Sequence, residues 1–330
     1  MNMKKFIISL ASVLILGHVL VSAQPVAGLK PSQTVLLYAD SFEGNIDPVY
    51  GKEIVYAGFR MNEANGLTGP ETINERGILR NVSDLARVDL YFPKKPNGQM
   101  VVVCPGGGYV KLSTYGEGQY VADWMLSKGI TVAVVKHRLP DGHWNVPLED
   151  VHNVFRYCRA HAQEWKVNQI GVIGFSAGGH LAACVSNLYV DAATRPDFSI
   201  LIYPVITFDY NIYRSGTRPG LIGADDKWVG NEGELNELVE YYSMEKRVTP
   251  ETPQTFISHS TNDKSLVDKS LIYYKSLITN KVPVEMHIWK TGGHGWGFAS
   301  ERLVGKGKDK LAAHRKEFYT ALEGWLENIR

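Results

Sequence analysis

The sequence predicts an α/β fold in which one mostly parallel central sheet carries helices on both faces. Three observations predict it. From residue 99 onward, short apolar runs alternate with segments whose apolar residues recur at helical spacing. The runs are apolar throughout, as strands buried on both faces must be. One of them, 169–175, passes through Gly174-Phe175-Ser176-Ala177-Gly178 straight into a small-residue helix start. Glycines at that join let strand and helix approach closely.

Each element follows in order. Met100-Val101-Val102-Val103-Cys104 reads as a buried strand, and Pro105-Gly106-Gly107-Gly108 follows it. Tyr120, Val121, Trp124 and Met125 give helical spacing within 119–128. Residues 130–135 form the next strand, and Val151, Val154, Phe155, Cys158 and Ala162 mark one face of the next helix. After the strand at 169–175 a helix is expected over 177–187. Residues 198–203, 255–259 and 284–289 complete the strand series. A last helix places Leu311, Phe318, Leu322, Trp325 and Ile329 on one stripe.

Two stretches break the alternation. Residues 24–80, rich in Gly, Asn and Pro, are expected to wrap the domain edge or to add antiparallel edge strands. Residues 205–250 carry Tyr210, Tyr213, Trp228, Tyr241 and Tyr242 among turn residues. An excursion above the strand ends suits a cap or substrate wall, with an ordinary surface insertion as the alternative.

Met1-Asn2-Met3-Lys4-Lys5, an apolar run from Phe6 to Val21, and Val21-Ser22-Ala23 have the form of a secretory signal peptide cut after Ala23. The run is short for a bilayer span and no charged stop follows it, so export without stable membrane insertion is expected. Residues 24–330 are read as one domain. A formal charge of +1 gives no electrostatic footprint for nucleic acid. Cys104, Cys158 and Cys184 are odd in number and lie in apolar segments, which fits buried free thiols better than a disulfide framework. They lack metal-ligand spacing, and neither a metal nor another cofactor is expected.

The chemistry centres on Ser176. A serine hydroxyl is a poor nucleophile at neutral pH and needs a base, which in turn needs an orienting acid. Strand, G-x-S-x-G and helix together form a nucleophile elbow, for which the chain order is Ser, then Asp or Glu, then His. Asp263 follows the strand at 255–259 by a short loop, and His294 lies in Gly292-Gly293-His294-Gly295-Trp296-Gly297 after the strand ending at Trp289. Asp268 is the rival acid, but it falls within the helical pattern of Leu266, Val267, Leu271 and Tyr274. His180, His259 and His287 compete with His294, although all three lie inside elements, where a packed histidine is commoner. Consecutive N–H groups at Gly107 and Gly108, with that of Ala177, suit an oxyanion hole. Tyr109 and Trp296, beside these loops, are candidate substrate contacts.

Cys104-Pro-Gly-Gly-Gly-Tyr109, Leu139-Pro-Asp-Gly-His-Trp-Asn-Val-Pro-Leu-Glu-Asp150, Gly174-Phe-Ser-Ala-Gly-Gly-His-Leu-Ala182, Arg195-Pro-Asp-Phe-Ser-Ile-Leu-Ile-Tyr-Pro204 and Gly292-Gly-His-Gly-Trp296 resemble bacterial α/β-hydrolase esterases related to acetyl-xylan esterases. The resemblance runs from about residue 80 to about residue 300. It implies an α/β-hydrolase fold and serine-dependent removal of small acyl groups, commonly acetyl from plant polysaccharides. It also implies Ser176 as nucleophile, Asp263 as acid and His294 as base, with Asp150 structural. The chain departs from the hormone-sensitive lipase group, which has H-G-G-G and G-D-S-A-G-G, at Pro105 and Phe175. His137 stands where a tyrosine is expected and bears on the site floor.

An exported carbohydrate O-acetyl esterase is therefore the leading expectation, with a small-molecule or oligosaccharide ester as its partner. A serine peptidase of the prolyl-oligopeptidase kind is the first alternative, set back by the roughly 75 residues between the signal segment and the first core strand, too few for a propeller. Xylan glycoside hydrolysis wants two flanking carboxylates, and no telling pair is visible. A non-catalytic binding module on a hydrolase scaffold typically lacks a triad member, and here none is missing.

Overall fold

Burial on both faces selects the strands at the centre of the sheet. The computed structural model describes residues 26, 28–38, 54–211, 216–263, 266–298 and 309–330; the expected leader, 1–23, lies outside them. Twelve strands form among the described residues: β1 Gln33–Tyr38, β2 Ile54–Phe59, β3 Thr72–Ile73, β4 Ile78–Arg80, β5 Arg87–Tyr91, β6 Gln99–Cys104, β7 Leu112–Ser113, β8 Thr131–Lys136, β9 Gln169–Phe175, β10 Phe198–Ile202, β11 Gln254–Ser260 and β12 Val284–Trp289. Nine make the main sheet, in the order β12-β11-β10-β9-β6-β8-β5-β1-β2. Only β5 runs against the rest, pairing antiparallel with both β8 and β1.

Period-two alternation divides the core between two faces. Met100, Val102 and Cys104 pack on α2 (Val146–His161), α3 (Ala177–Asn187) and α6 (Val267–Thr279), through Phe155, Leu181 and Leu277 among others. Val101 and Val103 face the other way, toward α1 (Tyr120–Ser127) and α7 (Arg315–Asn328), whose Val121, Phe318, Leu322 and Trp325 fill that side. Each such side chain contributes about 1.5–3 kcal/mol when fully buried. Leu311 precedes α7 yet packs with the same cluster. All three cysteines are buried and free, as expected.

Register matters most for the site. Cys104 pairs with Gly174, Ile202 with Phe175 and with Ser258, and Ser260 with Trp289. The loops that begin at Pro105, Ser176, Tyr203, Thr261 and Lys290 therefore leave one edge of the sheet, the carboxyl edge where α/β folds build sites.

The expectation for residues 24–80 holds in part: β1 lies antiparallel to β5. β1 and β2 pair parallel with each other, so the described edge is parallel, while β3, β4 and β7 form a separate antiparallel sheet. β5 was hidden in the sequence because Arg87 and Asp89 interrupt its apolar pattern. Both are buried with partners: Asp89 accepts from Thr34 at 2.9 Å and pairs with Lys136 at 2.7 Å, and Arg87 binds Glu71. Asp150 is structural, as the resemblance implies. Its carboxylate takes hydrogen bonds from Arg138 (Nη2, 2.7 Å; backbone N, 2.7 Å) and Tyr38 (2.6 Å), joining β1, the loop after β8 and α2. No helix among the described residues is long and apolar enough to cross a membrane.

Candidate active site

Ser176 links β9 to α3 with φ 53° and ψ −117°, a conformation a non-glycine residue holds only under constraint, at a cost of order 1–3 kcal/mol. Backbone bonds supply the constraint. Its N–H donates to Ile202 O at 3.1 Å, and its carbonyl accepts from His180 at 3.1 Å and Val205 at 3.0 Å. The glycines are required by contact: a Cβ at Gly178 would stand 2.6 Å from the Pro105 carbonyl oxygen. The elbow thus sits directly against the end of β6.

His294 is carried by a loop whose Gly292, Gly293 and Gly295 all adopt positive φ, which lets the chain reverse and present the ring. Gly293 N–H donates to Asn262 Oδ1 at 2.7 Å, and Lys310 holds the His294 carbonyl at 2.9 Å. The ring then bridges two elements. Its Nε2 lies 2.8 Å from Ser176 Oγ, and its Nδ1 lies 2.7 Å from Asp263 Oδ2. A carboxylate can only accept, so Nδ1 carries the proton and Nε2 is left to accept from the serine. Such a line can move the hydroxyl proton onto His294.

Asp263 is nearly buried. Burial alone raises its carboxyl, but hydrogen bonds from His259 and His294 overcome that and hold it below the usual carboxylate range. The His259 bond was not foreseen. His259 Nε2 sits 2.9 Å from the same Asp263 oxygen, and its Nδ1 sits 2.7 Å from Ser270 Oγ. Burial keeps this imidazole's affinity for a second proton low, so it donates to Asp263 and accepts from Ser270. The available signal was the i, i+4 spacing of His259 and Asp263 across a strand end.

The rival residues lie elsewhere. Asp268 is on α6, and His287 pairs with Glu285 at 2.7 Å. His180 is buried, its Nδ1 2.9 Å from Tyr109 Oη and its Nε2 2.8 Å from the Tyr242 carbonyl; burial pushes it down to about 4.

Gly107 and Gly108 take φ of 143° and 69°, which a side chain would strain. Their N–H groups, and that of Ala177 at the first turn of α3, donate to no protein acceptor among the described residues. Tyr109 lines a cavity of about 700 Å³ with Val110, Leu139, Pro219, Gly220 and Lys227, while its hydroxyl is committed to His180. Gly220 belongs to α4 (Thr217–Ile222), so residues 219–227 of the 205–250 excursion help wall this cavity. Trp296 corrects the expectation of a substrate contact: it is 4 % exposed and packed against Tyr203 and Phe318. Positive φ at Gly295 and Gly297 flanks it where the loop turns it into the core.

A family model described as BD-FAE matches residues 88–277. The acetylxylan esterase of Xylanibacter ruminicola is 34% identical over 233 residues, covering 67% of this chain and 46% of that protein. Endo-1,4-beta-xylanase B of Butyrivibrio fibrisolvens is 28% identical over 62% of this chain and 33% of its own length. This chain thus spans less than half the length of either relative. Among solved structures, the acetyl ester-xyloside bifunctional hydrolase from Caldicellulosiruptor lactoaceticus superposes with a TM-score of 0.60 at 31% identity, over 74% of this chain and 88% of that one.

Proposed function

The chain belongs to the BD-FAE family and has the α/β-hydrolase fold, and from that premise we propose a serine carboxylesterase that removes short acyl groups, acetyl foremost, from carbohydrate. The observation that carries the reading is the hydrogen-bond line from Ser176 through His294 to Asp263. Ser176 Oγ attacks the acyl carbonyl while His294 Nε2 takes its proton. Gly107, Gly108 and Ala177 N–H groups hold the oxyanion. Collapse expels the sugar alcohol, which takes the proton back from His294, and leaves an acyl-serine. Water, deprotonated by His294, then releases the acid. Nothing in this sequence calls for a metal or organic cofactor.

The carbohydrate half of the reading is supported by the names of the acetylxylan esterase and the acetyl ester-xyloside hydrolase. Glycoside hydrolysis is less well supported. It wants a free carboxylate pair, whereas Asp263 is engaged by two histidines. We assign the roughly 700 Å³ cavity to substrate beyond the reacting ester, because its lining starts at Tyr109, next after the oxyanion glycines, and does not include Ser176 or His294; residues 219–227 form part of its wall. Export also belongs to this reading, on the Lys4-Lys5 start and the apolar run to Val21.

The test is acetate release from acetylated xylo-oligosaccharides by the protein and its Ser176→Ala variant. Release by the first and none by the second is expected. Release by both would overturn the serine mechanism, and reducing ends freed from deacetylated xylan would overturn the choice of ester over glycoside.

A further inference from the structure

Glu117 is a buried carboxylate beside Ser176 for which the chemistry above has no use. It lies in Tyr115-Gly116-Glu117-Gly118-Gln119, a single π-helical turn that runs into α1. Such turns are uncommon and concentrate at functional sites. Small neighbours let this one dive under the site: a Cβ at Gly118 would meet Val134 at 3.0 Å.

Both carboxylate oxygens are occupied, and by two different loops. Oε2 accepts the Gly106 N–H at 2.7 Å. Gly106 opens the glycine loop and abuts the nucleophile; a Cβ there would lie 3.0 Å from Ser176 Cβ. Oε1 accepts the Tyr203 hydroxyl at 2.8 Å. Tyr203 is fully buried, its phenol oxygen accepts the Gly297 N–H at 3.0 Å, and its ring stands edge-on to His294 at 5.2 Å. The turn makes one further tie, Phe298 N–H to Gly116 O at 2.9 Å. Glu117 therefore joins the glycine loop on one side to the His294 loop on the other.

Donor arithmetic fixes its form. Gly106 can only donate, and Tyr203, already accepting from Gly297, has its own proton for Glu117, so an ionised carboxylate satisfies every partner. Among the described residues no cation is bonded to it: Arg315, at the start of α7, holds Asp309 and the carbonyls of Trp296 and Gly297. A buried carboxylate without a counter-ion is costly, and burial accordingly raises this one.

The geometry points to Glu117 as a positioning residue that sets the oxyanion loop and the His294 loop in register across Ser176. This rests on the serine-esterase reading of the site. Glu117→Gln keeps the shape but offers one acceptor oxygen where two donors need one, so the two loops lose their common anchor. A misplacement approaching 1 Å at the reacting atoms lowers the rate by roughly 100-fold, and loosening rather than displacement should cost about a tenth of that. Tyr203→Phe cuts the same link from the other side while keeping the ring.

The experiment measures kcat and KM for p-nitrophenyl acetate and the melting temperature of wild type, Glu117→Gln, Tyr203→Phe and the double variant, with Ser176→Ala as blank. Expected are tenfold or greater losses in kcat for each single variant with KM within about twofold, a double variant little worse than either, and a Glu117→Gln protein that keeps its fold but melts below wild type, one buried donor being left unpaired. Wild-type kcat in either single variant would overturn the role. So would kcat and KM disturbed together, and a Glu117→Gln chain that fails to fold would mean the same, since that is plain structure. A wild type as inactive as Ser176→Ala would overturn the esterase reading and this inference with it.

Discussion

Replacing Gly178 by alanine adds one methyl group where the start of α3 crosses the end of β6. The new Cβ would stand 2.6 Å from the Pro105 carbonyl oxygen and nearer still to that of Cys104. Both obstacles are backbone, so no rotamer change relieves them. Cys104 is held opposite Gly174 by the β6–β9 pairing, so room comes only from moving α3 and Ser176 away from the glycine loop by about 1 Å. Overpacking of this kind costs about 1–3 kcal/mol of stability. The displaced nucleophile should lose roughly 100-fold in kcat. Gly233→Ala on α5 (Glu232–Tyr241) is the matched control, because nothing lies within 4 Å of its Cβ and the position is helical. It should leave kcat alone and stabilise by up to about 1 kcal/mol. Turnover of p-nitrophenyl acetate and urea midpoints for both variants give the comparison. A folded Gly178→Ala protein with wild-type kcat and midpoint would refute the claim that the elbow is seated against β6.

Other consequences can be measured on the same footing. Asp263→Asn should lower kcat roughly 10³–10⁴-fold, because His294 loses the acceptor that fixes its tautomer, and an unchanged kcat would contradict the assigned acid. His259→Phe should cost about tenfold, since a hydrogen bond to a charged group is worth about 1.5–3 kcal/mol and Asp263 keeps its bond to His294; a loss equal to that of Asp263→Asn would instead make His259 indispensable. Asp150→Ala removes the fully buried partner of Arg138, leaving it Glu149 at 3.1 Å, and should destabilise by about 3 kcal/mol, while a urea midpoint within error of wild type would show the cluster to be dispensable. His152 and His180 are both pushed down to about 4 by burial. An unfolded histidine binds its proton near 6.5, so between those values the unfolded chain holds more protons and stability falls as pH drops from about 6.5 to 4. Urea midpoints flat across that window would contradict their neutral burial.

The centre of the sheet could be read in the sequence because its strands meet apolar layers on both sides, and β6, β8, β9 and β10 are accordingly uniform runs. Ser176, Asp263 and His294 were legible for a different reason: each lies just beyond a strand, and parallel strands deliver such loops to one edge. What escaped depended on partners remote in sequence. β5 is a core strand whose Asp89 is neutralised by Lys136 on the neighbouring strand, a pairing no local pattern reveals. Glu117 between two glycines reads as a solvated turn until Gly106 and Tyr203 close on it. His259 reads as a packed strand residue, which it is, and its second role exists only because the chain turns back after Ser260 to bring Asp263 beneath it. Trp296, expected as a substrate contact, is buried because its flanking glycines turn it inward.

The central claim is that Ser176 is a nucleophile activated by His294. It is tested most directly by treating the protein with a fluorophosphonate, which phosphonylates only activated serines, and mapping the adduct by mass spectrometry. The account predicts one adduct, on the peptide containing Ser176, formed in step with loss of esterase activity and suppressed in His294→Ala. Full loss of activity with the adduct on another residue, or undiminished labelling of Ser176 in His294→Ala, would contradict it.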